Sequence, residues 1–214
     1  MQHRLTPSLK RALSAERLEP YLIGSVSGAD PLAWYLWNVC LTEALYPILH
    51  GIEVSLRNSL HETIHRDTGD ASWMLKGGLL QKREADQVRD SSSRLESRRK
   101  GISSGRVVAE LSFGFWTSLL DKRYEGVLWP RLLSTAFPEV PRPLRTRADL
   151  SVRLNEIRRL RNRAFHHEPI WHWHDLAQQH AHAVEMLQWL CRDLGQLTAA
   201  ADRFAEVYAR RPTR

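Results

Sequence analysis

Ten residues carry the densest chemistry in this chain: RNRAFHHEPI, from Arg161 to Ile170. Two adjacent histidines follow Arg161, Asn162 and Arg163 and precede a carboxylate and a proline. Histidine gains or loses a proton near neutrality. A neighbouring arginine stabilises a dianionic phosphorane, and an asparagine orients the imidazole or a phosphate oxygen. Together these are the parts for RNA cleavage by the substrate's own 2′-hydroxyl. One group takes the proton, another protonates the leaving oxygen, and a cation holds the developing charge. Such chemistry needs no metal.

The spacing makes the arrangement feasible. Pro169 disfavours a helical conformation at Glu168. A helix from about Ala148 should therefore end near His166–His167. Arg158, Asn162 and His166 then share one i, i+4, i+8 row, and Arg161 lies one step round with a reach to the same point. The helix C-terminal dipole favours imidazolium there, and the arginines oppose it. Spacing alone is weak, because a solvated helix end also tolerates an arginine five residues before a histidine.

A rival comes from another class. His61-Glu62-Thr63-Ile64-His65 spells H-E-x-x-H, which on a helix sets two histidines on one face for zinc with Glu62 as base. Against it, Arg66 follows directly and no third ligand stands out. Glu53, Arg57, His61 and His65 form a polar row spaced by four, and a Glu53–Arg57 pair on a solvated or interface face accounts for it. His172, His174, His180 and His182 alternate faces and are read as structural or surface residues. Trp171 and Trp173 have rings suited to base stacking, with packing against the motif helix expected for at least one.

The elements that must position these residues are helical throughout. Thr6-Pro7 and Asp30-Pro31 are N-cap signals. The second opens a long helix to about Arg66, ended near Gly69, which Pro47 should kink or split. Its apolar stripe is Ile48, Leu49, Ile52, Leu56 and Leu60. After Gly77-Gly78 a charged helix runs to Lys100-Gly101, and Ser103-Ser104-Gly105 reads as a hinge or loop. One further helix should carry Val107 to Leu120 with Phe113-Gly114-Phe115-Trp116 inside it, Gly114 being a packing notch. Pro138, Pro141 and Pro143 mark a loop before the stripe Leu150, Leu154, Ile157 and Leu160. A last helical region runs from about Asp175 into the 200s, with Ala183, Met186, Leu187 and Leu190 on one face. No alternating strand pattern and no internal repeat occur.

The 214 residues suit a single all-α domain, with residues 1–30 and 196–211 peripheral. Hydrophobic residues make up 43%, enough for a sizeable core. No run reads as long enough to span a bilayer, and Gln2-His3-Arg4 leads into no signal-peptide core. Cys40 and Cys191 sit in apolar contexts as expected buried free thiols, pointing to a reducing, cytoplasmic setting. The formal charge is +7, with arginine concentrated in Lys82 to Lys100 and Arg142 to Arg163. A polyanionic partner or two solvated helix faces would both account for that.

The segment Leu160 to Ile170 resembles the signature of the Abi-like (AbiD/AbiF-type) proteins, a branch of the HEPN superfamily with its R-x-x-x-x-H motif. Glu53-Val54-Ser55-Leu56-Arg57-Asn58 resembles the same family's E-x-x-L-R-N helix. Glu110 to Trp116, followed by Trp129-Pro130 and Phe137-Pro138, resembles its middle region. The matches occur in order across roughly residues 31 to 190. The resemblance implies a HEPN-type helical bundle and a metal-independent endoribonuclease without cofactor. It implies a homodimer with both motifs facing one cleft, and a role in phage defence or as a toxin. By that analogy Arg161 and His166 are catalytic and Asn162 supports them. Arg158, Arg163, His167, Glu53, Arg57 and Asn58 would bind RNA or support the site. The partners implied are RNA, a second copy, and an antitoxin or other defence partner, with no membrane. A non-catalytic HEPN protein that binds RNA or a partner is the alternative.

Overall fold

A computed structural model describes residues 5–24, 30–129 and 131–212. Gln2-His3-Arg4 and Pro130 lie outside the described residues. The fold is all-α: 72% helical, with twelve α-helices and no strand among the described residues.

Thr6 and Asp30 cap helices as their sequence signals predict. The Thr6 hydroxyl accepts from the Leu9 amide at the start of α1 (Pro7–Leu13). α2 (Ala15–Gly24) follows. Asp30 accepts from the Leu32 amide and opens α3 (Pro31–Thr68), whose 38 residues end at a left-handed Gly69. α3 runs through Pro47 without splitting, although the proline has no backbone N–H to donate.

α3 is the axis of the core. Leu41, Leu45, Ile48, Ile52, Leu56 and Leu60 on it are fully enclosed. Contrary to the expectation that no run is long enough, α3 is long and apolar enough to cross a membrane by length and composition. Many of its apolar residues, among them Leu41, Leu45, Ile48, Ile52, Leu56 and Leu60, are covered by the other helices, while Leu36, Val39 and Tyr46 stay exposed. α10 (Leu176–Leu190) comes closest at Gly51, where an added Cβ would stand 2.9 Å from Leu187 Cδ2. That is the packing notch. At Gly114 a Cβ would meet only Ser112 Oγ at 3.6 Å and Arg158 Cδ at 4.0 Å, which is ordinary contact.

α4 (Trp73–Lys76) and the charged α5 (Lys82–Ser97) follow. The single helix expected over 107–120 is two: α6 (Ser104–Glu110) and α7 (Phe113–Ser118). Ser103 and Ser112 cap them, accepting from Arg106 and Phe115 amides. The Ser112 hydroxyl offers the backbone an alternative to continuing α6, so the chain breaks at Leu111 and restarts. Ser103-Ser104-Gly105 is thus a helix start and not a hinge, and Phe113-Gly114-Phe115-Trp116 opens a helix instead of lying inside one. Short turns Lys122–Tyr124 and Arg142–Leu144, with α8 (Leu133–Ala136) between them, lead to α9 (Arg147–Phe165). α11 (Arg192–Ala199) and α12 (Phe204–Ala209) complete the chain.

The ends differ in how they pack. α1 buries nothing, whereas α2 inserts Leu18 and Tyr21 and α12 inserts Phe204. Burial pushes the Tyr21 hydroxyl up to about 12. Trp37 Nε1 donates to the Val207 carbonyl at 2.9 Å, tying α12 to α3. Both cysteines are free, but Cys40 is exposed and Cys191 only half-buried. Cys40 lies on the outward face of α3, which its apolar sequence neighbours do not reveal.

Candidate active site at the C-terminal end of α9

α9 begins at Thr146, whose hydroxyl accepts from the Asp149 amide, and buries Leu150, Leu154, Ile157, Leu160 and Ala164. The helix ends where Pro169 predicts. His166 is the C-cap and His167 is left-handed, with φ of 59°. The His167 amide donates to Ala164 and the Glu168 amide to Arg163, the paired bonds that close a helix end. Two distant residues hold this turn. Arg17 on α2 donates to the His167 carbonyl at 2.6 Å. The Asn38 side chain, buried on α3, accepts from the Ile170 and Trp171 amides at 2.8 and 3.1 Å. Sequence reading missed both. A polar Asn38 inside the apolar Trp34–Leu41 run was the available signal.

Arg161 is fixed from three directions. Its Nε donates to Glu53 Oε2 at 3.2 Å, and one terminal nitrogen approaches Asn162 Oδ1 at 3.4 Å. Its guanidinium carbon lies 4.7 Å from the Phe165 ring centroid. Glu53 therefore pairs with Arg161 across 108 positions of sequence, and not with Arg57, as the four-residue spacing predicts. The reason is a better partner: both side chains are half-buried between α3 and α9, where an ion pair is screened less than on an open helix face. Arg57 is half-buried with its Nε unpaired, and Asn58 is exposed.

His166 is exposed at the helix end, and its backbone amide donates to the Asn162 carbonyl at 2.9 Å. Arg161 and Asn162 are thus brought together, while the His166 ring is hydrogen-bonded to neither. Arg158 leaves the expected row: its guanidinium turns back to Asn155 Oδ1 at 2.8 Å. Arg163 faces away, over the Trp173 ring and at 3.1 Å from Glu168 without a straight hydrogen bond. The Arg142–Arg163 tract is largely occupied by the fold. Arg145 caps the Pro138 and Val140 carbonyls, Arg147 reaches Glu125 and the Leu120 carbonyl, and Arg153 meets Glu185.

The other candidates are used structurally. His61 Nδ1 accepts from Trp73 Nε1 at 3.1 Å. Burial and then His65 hold its pKa below the ordinary range. Glu62 pairs with Arg66 at 2.7 Å. No group of three metal-ligating side chains gathers among the described residues. Trp171 packs on Trp34 and Tyr21. His180 lies on Phe204 with Asp202 at 3.0 Å, and burial lowers its pKa against the opposing pull of Asp202. His172 and His174 border a shallow hollow with Arg159 and Gln179, and His182 borders the adjoining one.

Comparison with protein-family models, with curated proteins and with solved structures returns no match.

Proposed function

We propose that this chain is a metal-independent endoribonuclease of the HEPN type, acting in phage defence or as a toxin, with Arg161 and His166 at the cleft of a homodimer. The carrying observation is the state of Arg161. Glu53, Asn162 and Phe165 hold its guanidinium in place at a helix end whose next residue but one after Ala164 is an exposed histidine. A preoriented cation costs no reorganisation when charge develops on a phosphate. The Abi-like resemblance of the Arg161, Glu53 and Glu110 segments, cytoplasmic action included, belongs to the same proposal.

The dimer draws support from the outward face of α3. Leu36 and Val39 are 46 and 45% exposed on adjacent turns of a helix that borders the motif. Such a stripe is what a second copy would cover. Within one chain His167 would point about 100° away from His166 on a regular helix, and a twofold axis there would bring a second His166 to the same phosphate.

The test is incubation of the purified protein with mixed RNA in excess chelator. Cleavage should persist and leave 2′,3′-cyclic or 3′-phosphate ends with 5′-hydroxyls. RNA lacking the 2′-hydroxyl at the cut should resist. Retention without cleavage would replace the enzyme by a binding module, and strict zinc dependence would return the chemistry to His61 and His65. A folded monomer that cuts at full rate would overturn the composite site.

A further inference from the structure

Three rings form a line that leads to Arg161. The His50 and Tyr46 ring centroids are 5.6 Å apart with planes 13° from parallel. Tyr46 and Phe165 follow at 5.8 Å and 29°. The Arg161 guanidinium covers Phe165 at 4.7 Å. Centroid separations this wide mean offset rings, so these rings from α3 and α9 form a row that ends on a cation while much of the Tyr46 ring stays open. The core does not need it open: Tyr46 is 53% exposed. Tyr46 and Phe165 also wall an open hollow of about 420 Å³, with Thr42, Glu43, Ala164 and His167 on its other sides.

We propose that this hollow is a nucleobase subsite, in which a base of single-stranded RNA stacks on Tyr46 while its phosphate meets Arg161. The proposal rests on the ribonuclease reading above and adds what holds the substrate. A nucleotide joins a flat apolar face to an anion, and the row joins flat aromatic faces to a guanidinium in the same order. Stacking is how proteins hold unpaired bases whatever their identity. The carboxylate on the rim is already matched, since Glu43 pairs with Arg203. A second copy of the chain is the competing occupant. It is better served by aliphatic Leu36 and Val39, about 10–15 Å along α3 from Tyr46.

The experiment is a double-mutant cycle on binding. The probes are RNAs roughly eight nucleotides long, 2′-O-methylated throughout so that they are not cut, with one nucleotide at a time made abasic. Tyr46→Ala should weaken the intact probe roughly 5- to 150-fold. Tyr46→Leu should do the same, because it keeps apolar area without a ring, and Tyr46→Trp should bind at least as well as wild type. One abasic position should weaken wild type by a similar factor and leave Tyr46→Ala almost unaffected. Additive losses at every position would overturn the subsite. So would variants that sediment as monomers yet bind the probe as tightly per chain, since Tyr46 would then serve a second copy. The outcomes separate the two proposals. Additivity in a protein that cuts RNA removes the subsite alone, whereas wild type that neither cuts RNA nor binds the probe removes both.

Discussion

Glu84 and Glu53 each meet an arginine, and the two clusters are finished in opposite ways. Glu84, on α5, is fully enclosed. One oxygen accepts from Ser118 at 3.1 Å and Arg123 at 2.7 Å, and the other from Tyr124 at 2.8 Å. Tyr124 in turn accepts from the Gln81 amide, and its hydroxyl is pushed up to about 12, chiefly by burial. Both carboxylate oxygens and the two hydroxyls in that knot are hydrogen-bonded within the chain. Glu53 is 22% exposed and Arg161 26%, and Glu53 takes only the Nε edge of its arginine. The far edge of the guanidinium meets only the long Asn162 contact. A closed network holds α5 to the turn after α7, while a half-closed one aims a cation outward.

The largest expected effect lies at the open cluster. His166→Ala and Arg161→Ala should each lower cleavage by about 10³-fold. Helical circular dichroism should stay unchanged, and stability should move by less than about 1 kcal/mol, because the Glu53–Arg161 pair is partly solvated. Near-wild-type turnover in either folded variant would remove the contrast between the clusters. Glu84→Ala should do the reverse. Losing the carboxylate leaves the buried Tyr124 hydroxyl proton and the Arg123 guanidinium without their acceptor, while Ser118 keeps the Phe115 carbonyl, at a cost of about 3 kcal/mol in urea unfolding. Cleavage per folded molecule should not change. A loss below about 1 kcal/mol would mean that Arg123 and Tyr124 find water instead.

How much of this could be read in advance follows from how local each signal is. Thr6, Asp30, Gly69 and Pro169 act on backbone within a few residues, and the helix boundaries fall where they point. The break at Leu111 was missed because Ser112 is as compatible with a helix interior as with a cap. Only its hydroxyl's choice of the Phe115 amide decides between them. At the candidate site, Arg161 and Asn162 were legible as neighbours. The Glu53–Arg161 pair, the Asn38 brace and the Arg17 bond were not, since they span 108, 132 or more, and 150 positions. Helical periodicity tells which face a residue occupies but not which helix faces it. The same gap explains Arg57, whose expected partner Glu53 is taken by Arg161 of another helix, whereas Arg158 turns back to Asn155 within its own helix.

A smaller effect tests the turn that carries the motif. His167 and Arg99 both end helices in the left-handed region, at φ of 59° and 54°. A non-glycine side chain there costs roughly 1–2 kcal/mol, partly offset by the extra freedom glycine gives the unfolded chain. His167→Gly and Arg99→Gly should each raise stability by about 0.5–1 kcal/mol. Arg99→Gly should leave cleavage alone. If His167→Gly also leaves it alone, His167 is a cap and nothing more. Reduced cleavage in the more stable protein would make its ring part of the site.

The histidines divide as the carboxylates do, and the smallest effect follows from that. His61 is half-buried against Trp73 and His180 against Phe204, and burial is the largest cause of a lowered pKa at both. A lowered folded pKa means that, near and below the unfolded value of about 6.5, the unfolded chain binds more protons. Stability is then fully present above that pH and is lost as pH falls towards the lowered folded pKa values. His61→Gln removes one of these groups while its side-chain oxygen can still accept from Trp73 Nε1. The melting temperature should therefore fall less between pH 7.5 and 5.5 in the variant than in wild type, by about 2 °C. Cleavage at neutral pH should be unchanged, because His61 lies on the Trp73 side of α3 and its Nδ1 lone pair is occupied. An unaltered pH dependence would mean that His61 is protonated equally in both states. Lost cleavage in a folded His61→Gln protein would move the catalytic centre from the end of α9 to the C-terminal part of α3.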